Sequence, residues 1–572
     1  MNISYNWLKE YLQFDLSPQE TAAALTSIGL ETGGVEEIQT IKGGLEGLVV
    51  GEVLTCIHHP NSDHLHLTTV TIGNGEEPLK IVCGAPNVAA GQKVVVAPVG
   101  TKLYFGGEEV VIKRSKIRGE ESFGMICAED EIGLGTSHEG IIVLPGDVEV
   151  GTLARDYYNV KSDFILEVDI TPNRIDAASH YGVARDLAAY LKQCGKPFTL
   201  KKPSVDGFKT DKTEGGIDVI VENRVACPRY SGLTVRGVTV KESPDWLKNN
   251  LLAIGLRPIN NIVDITNFIL HETGHPMHAF DVDYIEGNTV VVRTLPENSK
   301  FMTLDEQERE LSGNDLMICN VNEGMCIAGV FGGLKSGVTE STKDVFLESA
   351  YFNPTWVRKT ARRHGLNTDS SFRFERGADP SNTVYVLKRA AMLIREIAGG
   401  EIEGEIRDVY PEKIKNAEVI LPFRKVNSLI GKEIPKETIK SILQSLDIET
   451  ETESEEALTL RIPTYRVDVT RDVDVIEEIL RIYGYNNVDF SNSLKANLSY
   501  QTLTDRKHKL QTLVSEQLTA SGFDEIMNNS LTRKSYYEEN ASFPGKNGVK
   551  LLNPLSNDLG VMRRTLLYGG LE

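Results

Sequence analysis

The sequence has no apolar run approaching the roughly 20 residues that a membrane-spanning helix needs. Its start, MNISYNWLKEYL, lacks a basic region followed by an apolar one. Membrane insertion and secretion are therefore not expected, and a cytoplasmic location is. Cysteine is scarce: seven residues among 572, scattered from Cys56 to Cys326 without a C-x-x-C pair. That argues against a thiolate zinc centre or a disulfide framework and leaves the thiols as buried small hydrophobes. Positive charge is short as well, 61 Lys and Arg against 81 Asp and Glu, for a net charge of -20. Most of the surface would repel a polyanion, so any nucleic-acid contact is confined to local basic patches. No compositional extreme is present, since 40% hydrophobic and 25% charged residues are ordinary globular values. At 572 residues the chain is too long for one core, and a prior of roughly 150 residues per domain suggests about four.

Polar side chains concentrate in Arg257 to Asp281, RPINNIVDITNFILHETGHPMHAFD, where His271, His275 and His278 fall within eight residues. Asp264, Thr266 and Asn267 interrupt the apolar run Ile262 to Leu270. Such groups must be buried and paired or must face a pocket, which points to a small-molecule site. His271-Glu272-Thr273-Gly274-His275 matches H-E-x-x-H, the zinc-protease signature, which works only with both histidines one turn apart on a continuous helix. Gly274 inside that helix and Pro276 just after it argue for a chance match.

The chain divides by texture into a multidomain α+β protein. Residues 1–41 and 151–200 are helix-rich, with capped helices beginning at Ser17-Pro18 and Ser179, and are expected to form one discontinuous α+β domain. Between them, 42–150 alternates apolar residues with Gly- and Pro-containing turns. Five strands are expected, at GLVVGEVLTC, HLTTVTIG, KIVCGA, QKVVVAPVG and EEVVIKRSKIRG, closing a small β-barrel. Residues 212–400 mix strands with helices starting at Ser243-Pro244 and Asn353-Pro354, an α+β block. Residues 409–487 read as helix, turn at Gly431, helix, strand and helix, similar to a winged helix. In 488–572 a capped amphipathic helix from Thr504 to Ser521 precedes a strand, and the ending GGLE suggests a truncated chain.

Within the barrel, His59-Pro60-Asn61-Ser62-Asp63, Val82-Cys83-Gly84-Ala85, Lys116-Ile117-Arg118-Gly119 and Gly124-Met125-Ile126-Cys127 resemble the RNA-binding OB-fold module of several synthetases. Lys113, Arg114, Lys116 and Arg118 place four positive charges in six residues of an acidic protein, and a weak or auxiliary tRNA contact is expected there. Over essentially its whole length the chain resembles the β subunits of bacterial phenylalanyl-tRNA synthetases. The most specific pieces are Glu167-Val168-Asp169-Ile170-Thr171-Pro172-Asn173-Arg174, Pro276-Met277-His278-Ala279-Phe280-Asp281, Ala361-Arg362-Arg363-His364-Gly365-Leu366 and Arg481-Ile482-Tyr483-Gly484-Tyr485-Asn486.

The resemblance implies an α2β2 heterotetramer in which the α subunit uses ATP to charge phenylalanine tRNA. The β chain would contribute architecture, tRNA contacts and a B3/B4 editing domain that hydrolyses tyrosine from mischarged tRNA. It also implies an editing pocket of Thr266, Asn267, His278, Gly332, Gly333, Glu348 and Thr368. Ser370 is a departure, since alanine is expected there in relatives. The last module would be a partial, non-catalytic B6/B7 domain resembling class II synthetases. Phe372-Arg373-Phe374-Glu375 also matches the arginine motif of class II active sites, but it sits in the central block and is expected to form a structural ion-pair network.

Asp474, Glu477 and Glu478, spaced i, i+3 and i+4, share one helix face, and Asp468 approaches from the preceding strand end. Four such carboxylates could hold Mg2+, or the acids of the first turn could simply complement the helix dipole. The family resemblance implies Mg2+ at this B5 site, on the border with the α subunit, with Asp472 as a competing carboxylate. Three function classes follow: a synthetase subunit with editing hydrolysis, a non-enzymatic tRNA-binding scaffold, and a metal-dependent hydrolase.

Overall fold

The computed structural model describes residues 1–39, 41, 43–73, 75, 77–105, 108–134, 139–158, 160, 162–489, 501–538 and 542–572. It comprises two compact units, Met1–Asp489 and Phe490–Glu572. In the first, strand Ser162–Val168 lies between Asn2–Ser4 and Thr32–Gln39, antiparallel to both. Residues 40–161 thus enter and leave through neighbouring strands of one small sheet. Ser17 opens helix Pro18–Ser27 with a capping box: its hydroxyl accepts from Glu20 N while the Glu20 carboxylate accepts from Ser17 N. Trp7, fully buried, stacks on His180 at 3.8 Å and on Phe268 at 4.7 Å, and so pins the N-terminal helices to the central block. His180 Nε2 accepts from Ser4 N, so its Nδ1 carries the proton donated to the His271 carbonyl at 3.0 Å.

The inserted sheet runs Gly124–Ile126, Lys93–Pro98, Val49–His58, His66–Thr71, Leu79–Cys83. Val94 and Val96 pack into one apolar cluster and Val95 and Ala97 into another, so the Lys93–Pro98 strand is buried on both faces. The stretch EEVVIKRSKIRG does not supply the expected fifth strand. It divides between two separate hairpins, Lys102–Phe105 with Glu108–Val111 and Ser115–Ile117 with Glu120–Ser122, and Gly124–Ile126 takes its place in the sheet. The charged run around Lys113 and Arg114 cannot be buried on either face, and Arg118 at φ 47 followed by Gly119 at φ 103 turns the chain back.

The central block is two sheets face to face. One orders His278–Asp281, Asp344–Tyr351, Arg229–Arg236 and Glu401–Val409, all antiparallel. The other orders Asp218–Val221, Thr289–Thr294, Leu316–Cys319, Gly324–Ile327 and Phe331–Gly332. Alternation along Asp344–Tyr351 assigns the faces: Val345 and Leu347 join the core beneath helices Asn261–Thr273 and Thr383–Ile397, whereas Phe346 and Ala350 join the core between the sheets. Glu348 has the inward parity.

The following module holds helices Phe423–Ile430, Lys436–Ser445 and Asp472–Tyr483 with a three-stranded sheet ordered Ala417–Pro422, Ala457–Ile462, Glu449–Glu453. Two of these strands were not legible beforehand; Glu449–Glu453, ETETE, is exposed throughout and carries no apolar alternation. In the second unit, helix Leu503–Ala520 is capped by Thr502 with Asp505, two residues before the expected cap at Thr504, and strand Leu531–Thr532 pairs with Val561–Met562. Residues 490–500, near the start of the module expected at 488–572, lie outside the described residues.

Candidate functional site

The polar residues of the 257–281 stretch divide into staples and site residues. Asp264 accepts from Ser243 Oγ at 2.6 Å and Ile259 N at 2.8 Å, and Asn261 ties to Thr239 O and Lys241 N, which accounts for both without a ligand. Helix Asn261–Thr273 ends where Gly274 adopts φ 76, leaving His275 off the helix. Glu272 is engaged by Tyr11 Oη at 2.9 Å and the Arg389 guanidinium at 3.1 Å. The H-E-x-x-H match therefore has no metal-site geometry. Arg373, buried, pairs with Asp369 at 3.0 Å and donates to Ala178 O, a structural role.

His278 and Glu348 are brought together as directly opposed residues of two antiparallel strands. A Cβ on Gly332 would lie 3.3 Å from His278 Cε1 and 2.8 Å from Leu304 Cδ1, so only a glycine lets its backbone pass this close to the imidazole and to Leu304. Gly333 closes the hairpin: its N–H donates to Met325 O at 3.0 Å, and a Cβ there would strike that carbonyl and the Phe301 ring. Burial holds the His278 imidazole down to about 4, neutral at physiological pH. Burial pushes the Glu348 carboxyl up to about 8, and its Oε2 has no hydrogen-bond partner among the described residues. A neutral, unsatisfied carboxyl opposite a neutral imidazole is the chemistry of recognition rather than of an ion pair.

The other expected residues stand further back. Thr368 caps helix Asp369–Phe374 and donates to Val330 O at 2.9 Å, and Ser370 donates to Gly329 O at 3.3 Å, so both brace the loop leading to Gly332. Thr266 donates to Val263 O of its own helix, and among the described residues no hydrogen bond joins Thr266 or Asn267 to His278 or Glu348. The sequence reading missed Tyr230, fully buried on the strand beside Glu348; an aromatic in a strand carries no signal that separates packing from recognition.

All four expected metal ligands line one cavity, but as placed among the described residues they do not form a cation site. Glu478 Oε2 accepts from Arg466 Nη1 at 2.8 Å and Arg481 Nη2 at 2.6 Å, and its Oε1 from Arg481 Nε at 2.8 Å. Asp474 accepts from Thr470 N, Arg471 N and the Arg471 side chain. Asp468 and Glu477 are exposed, and among the described residues no group of three or more His, Cys, Asp or Glu side chains is arranged to hold a metal. The geometry instead makes a buried ionic clamp. Arg174 pairs with Asp176 and Asp186, and Arg481 bridges Asp186 at 3.1 Å and Glu478 at 2.6 Å. Two motifs that carried the family resemblance, ending in Arg174 and opening with Arg481, thus meet across modules.

On the inserted module, in and beside the Ser115–Ile117 hairpin, Lys113, Arg114, Lys116 and Arg118 are exposed. Arg114 is paired with Glu121 at 2.7 Å, and Arg118 donates to Asn61 O at 3.1 Å, which joins two of the motif pieces.

Family models match in the same order as the modules: "Putative tRNA binding domain" at 48–153, "B3/4 domain" at 226–399, "tRNA synthetase B5 domain" at 419–485 and "Phenylalanyl tRNA synthetase beta chain CLM domain" at 491–572. A relative from Bacteroides fragilis, named phenylalanine–tRNA ligase beta subunit, is 67% identical over 572 residues, all of this chain and 70% of its own length. Relatives of the same name from Porphyromonas gingivalis and Fusobacterium nucleatum are 63% and 42% identical, over 100% and 99% of this chain and 70% and 69% of theirs. With the modules in register and identity sustained from end to end, this chain belongs to the phenylalanine–tRNA ligase beta subunit family.

Proposed function

We propose that this chain acts as the β subunit of a cytoplasmic α2β2 phenylalanine–tRNA ligase and hydrolyses tyrosine from mischarged phenylalanine tRNA in its central block. Charging with ATP is assigned to the α subunit. The observation that carries the editing reading is the facing pair His278 and Glu348, with the side-chain-free backbone of Gly332 against the imidazole. A charging pocket shaped for phenylalanine discriminates poorly against one added hydroxyl. A second site with a polar group aimed at the phenol gains a hydrogen bond from tyrosine and leaves that group unpaired with phenylalanine.

Glu348 reads the phenol, and the neutral His278 imidazole orients the attacking water. The backbone at Gly332 and Gly333 lets the ester approach closely, with Thr368 holding that loop in place. Water adds to the ester carbonyl carbon, the bond from that carbon to the ribose oxygen breaks, and tyrosine leaves with the terminal hydroxyl of the tRNA restored. No step is assigned to a magnesium ion on this chain.

The test is release of tyrosine from mischarged phenylalanine tRNA by the reconstituted complex. His278→Ala is expected to slow release about 10- to 100-fold, the loss of one positioning group, with phenylalanine charging unchanged. Release at the unsubstituted rate removes His278 from the mechanism, and no release by the unsubstituted complex leaves only the scaffold role.

The exposed lysines Lys113 and Lys116 of the inserted module support an auxiliary tRNA contact. Lys116→Ala is expected to reduce the slope of log affinity against log salt by about 0.7 to 0.9, the loss of one phosphate contact. Arg114→Ala, whose charge Glu121 already offsets, is expected to change it less. Fluorescence anisotropy over a salt series measures both, and an unaltered slope for Lys116→Ala removes this patch from the tRNA path.

A further inference from the structure

Glu348 is not the only unsatisfied polar group buried on this face of the sheet. Tyr230 is fully buried, and its hydroxyl, like Glu348 Oε2, has no hydrogen-bond partner among the described residues. The strand register relates the two. Gly232 lies opposite Glu348, and Tyr230, two residues earlier on the same face, lies opposite Ala350. Tyr230 and Glu348 are therefore diagonal cross-strand neighbours, an offset that long side chains reach across. The place directly opposite Glu348 carries no side chain, because a Cβ on Gly232 would run into the Phe346 ring.

The two nearby thiols are already engaged. Cys227 Sγ donates to Arg229 O at 3.5 Å and Cys326 Sγ to Phe331 O at 3.3 Å. Two buried polar groups left without partners on neighbouring strands and on the same face mark a place where a ligand supplies the missing bonds.

We propose that Tyr230 is a further specificity-determining residue of the editing site: its hydroxyl donates to the phenol oxygen of a tyrosyl ester while Glu348 accepts from the phenol hydrogen. The inference rests on the editing reading above and deepens it. Recognition then has two points, and the preferred substrates carry a para substituent that both accepts and donates a hydrogen bond. A phenyl ring leaves both protein groups unpaired, so phenylalanine is rejected twice over. Burial, with Glu348 nearby, pushes the Tyr230 hydroxyl well above its ordinary value, so it remains a donor throughout the physiological range.

The experiment uses the full complex with phenylalanine tRNA acylated by tyrosine or by p-aminophenylalanine. An aromatic amine donates to Glu348 but is a poor acceptor for Tyr230. Tyr230→Phe is expected to slow tyrosine release about tenfold, the loss of one hydrogen bond, while release of p-aminophenylalanine stays within about twofold. An equal loss on both substrates would mean a packing role and overturns the proposal, as does no loss on tyrosine. Glu348→Ala run in parallel separates the two levels. If Glu348→Ala is slow on tyrosine and Tyr230→Phe is not, Tyr230 alone is dismissed; if Glu348→Ala is as fast as the unsubstituted complex, the editing reading falls with it. Thermal unfolding of Tyr230→Phe checks that the fold is intact, since the substitution removes only an unbonded hydroxyl.

Discussion

At pH 8 the Glu348→Gln protein is expected to be more stable than the unsubstituted one by about 4–5 kcal/mol, a gap that closes as pH falls toward 4.5. The sign follows from the raised carboxyl. In the folded protein burial pushes Glu348 up to about 8, whereas in the unfolded chain it ionises near its ordinary 4.5. Between those values the folded state holds a proton that the unfolded state has lost, so rising pH favours unfolding at about 1.4 kcal/mol per pH unit. Glutamine, with no proton to hold, removes the slope. Denaturant unfolding at pH 5 and pH 8 measures the gap in the Met1–Asp489 unit. Equal stabilities at both pH values would show that Glu348 is solvated, and with that the recognition chemistry would lose its basis. Keeping a carboxyl at such a cost is the expected signature of a group retained for binding rather than for folding.

The second large effect is expected at the ionic clamp. Glu478→Ala should destabilise the Met1–Asp489 unit by about 3–5 kcal/mol at pH 7, because it removes the carboxylate nearest to buried Arg466 and one of the two that buried Arg481 bridges. Both arginines and Glu478 are almost fully buried. The pH dependence has the opposite sign to that of Glu348. Although burial alone would raise it, the Arg481 and Arg466 guanidinium groups hold Glu478 down to about 2. Its contribution is therefore complete above about 4.5 and is lost as pH falls toward 2. Asp186, held between Arg174 and Arg481, is lowered more strongly and reinforces the acid limit. Acid titration followed by circular dichroism should move the unfolding midpoint of Glu478→Ala to higher pH. A variant within 1 kcal/mol of the unsubstituted protein at pH 7 would mean that water, and not the arginines, solvates this carboxylate.

Much of the architecture follows from local chemistry. Helix Pro354–His364 has Asn353 as its cap, Pro354 at its first position and Gly365 at φ 64 beyond its end, each a residue whose backbone preference suits its place. The Gly274 break that dismisses the zinc motif is visible from the same preferences. The ETETE strand was not legible because its pairing comes from Ala457–Ile462 and not from its own side chains. The carboxylates of Asp472–Tyr483 misled for a related reason: spacing gives the helix face but not what faces it, and Arg466 arrives from outside the helix.

The sequence alone determined the order of modules, the helix limits set by caps and glycines, and the shortage of positive charge that confines any tRNA contact to patches. These depend on backbone preferences and summed charge, which act within a few residues or do not depend on geometry at all. Only the tertiary structure decided that Glu348 faces His278, that Tyr230 stands open beside it and that Arg174 and Arg481, some 300 residues apart, share the Asp186 carboxylate. Strand register and burial create those neighbours, and the same carboxyl chemistry yields a proton-holding reader at Glu348 and an ion-paired clamp at Glu478 according to what the fold places against it.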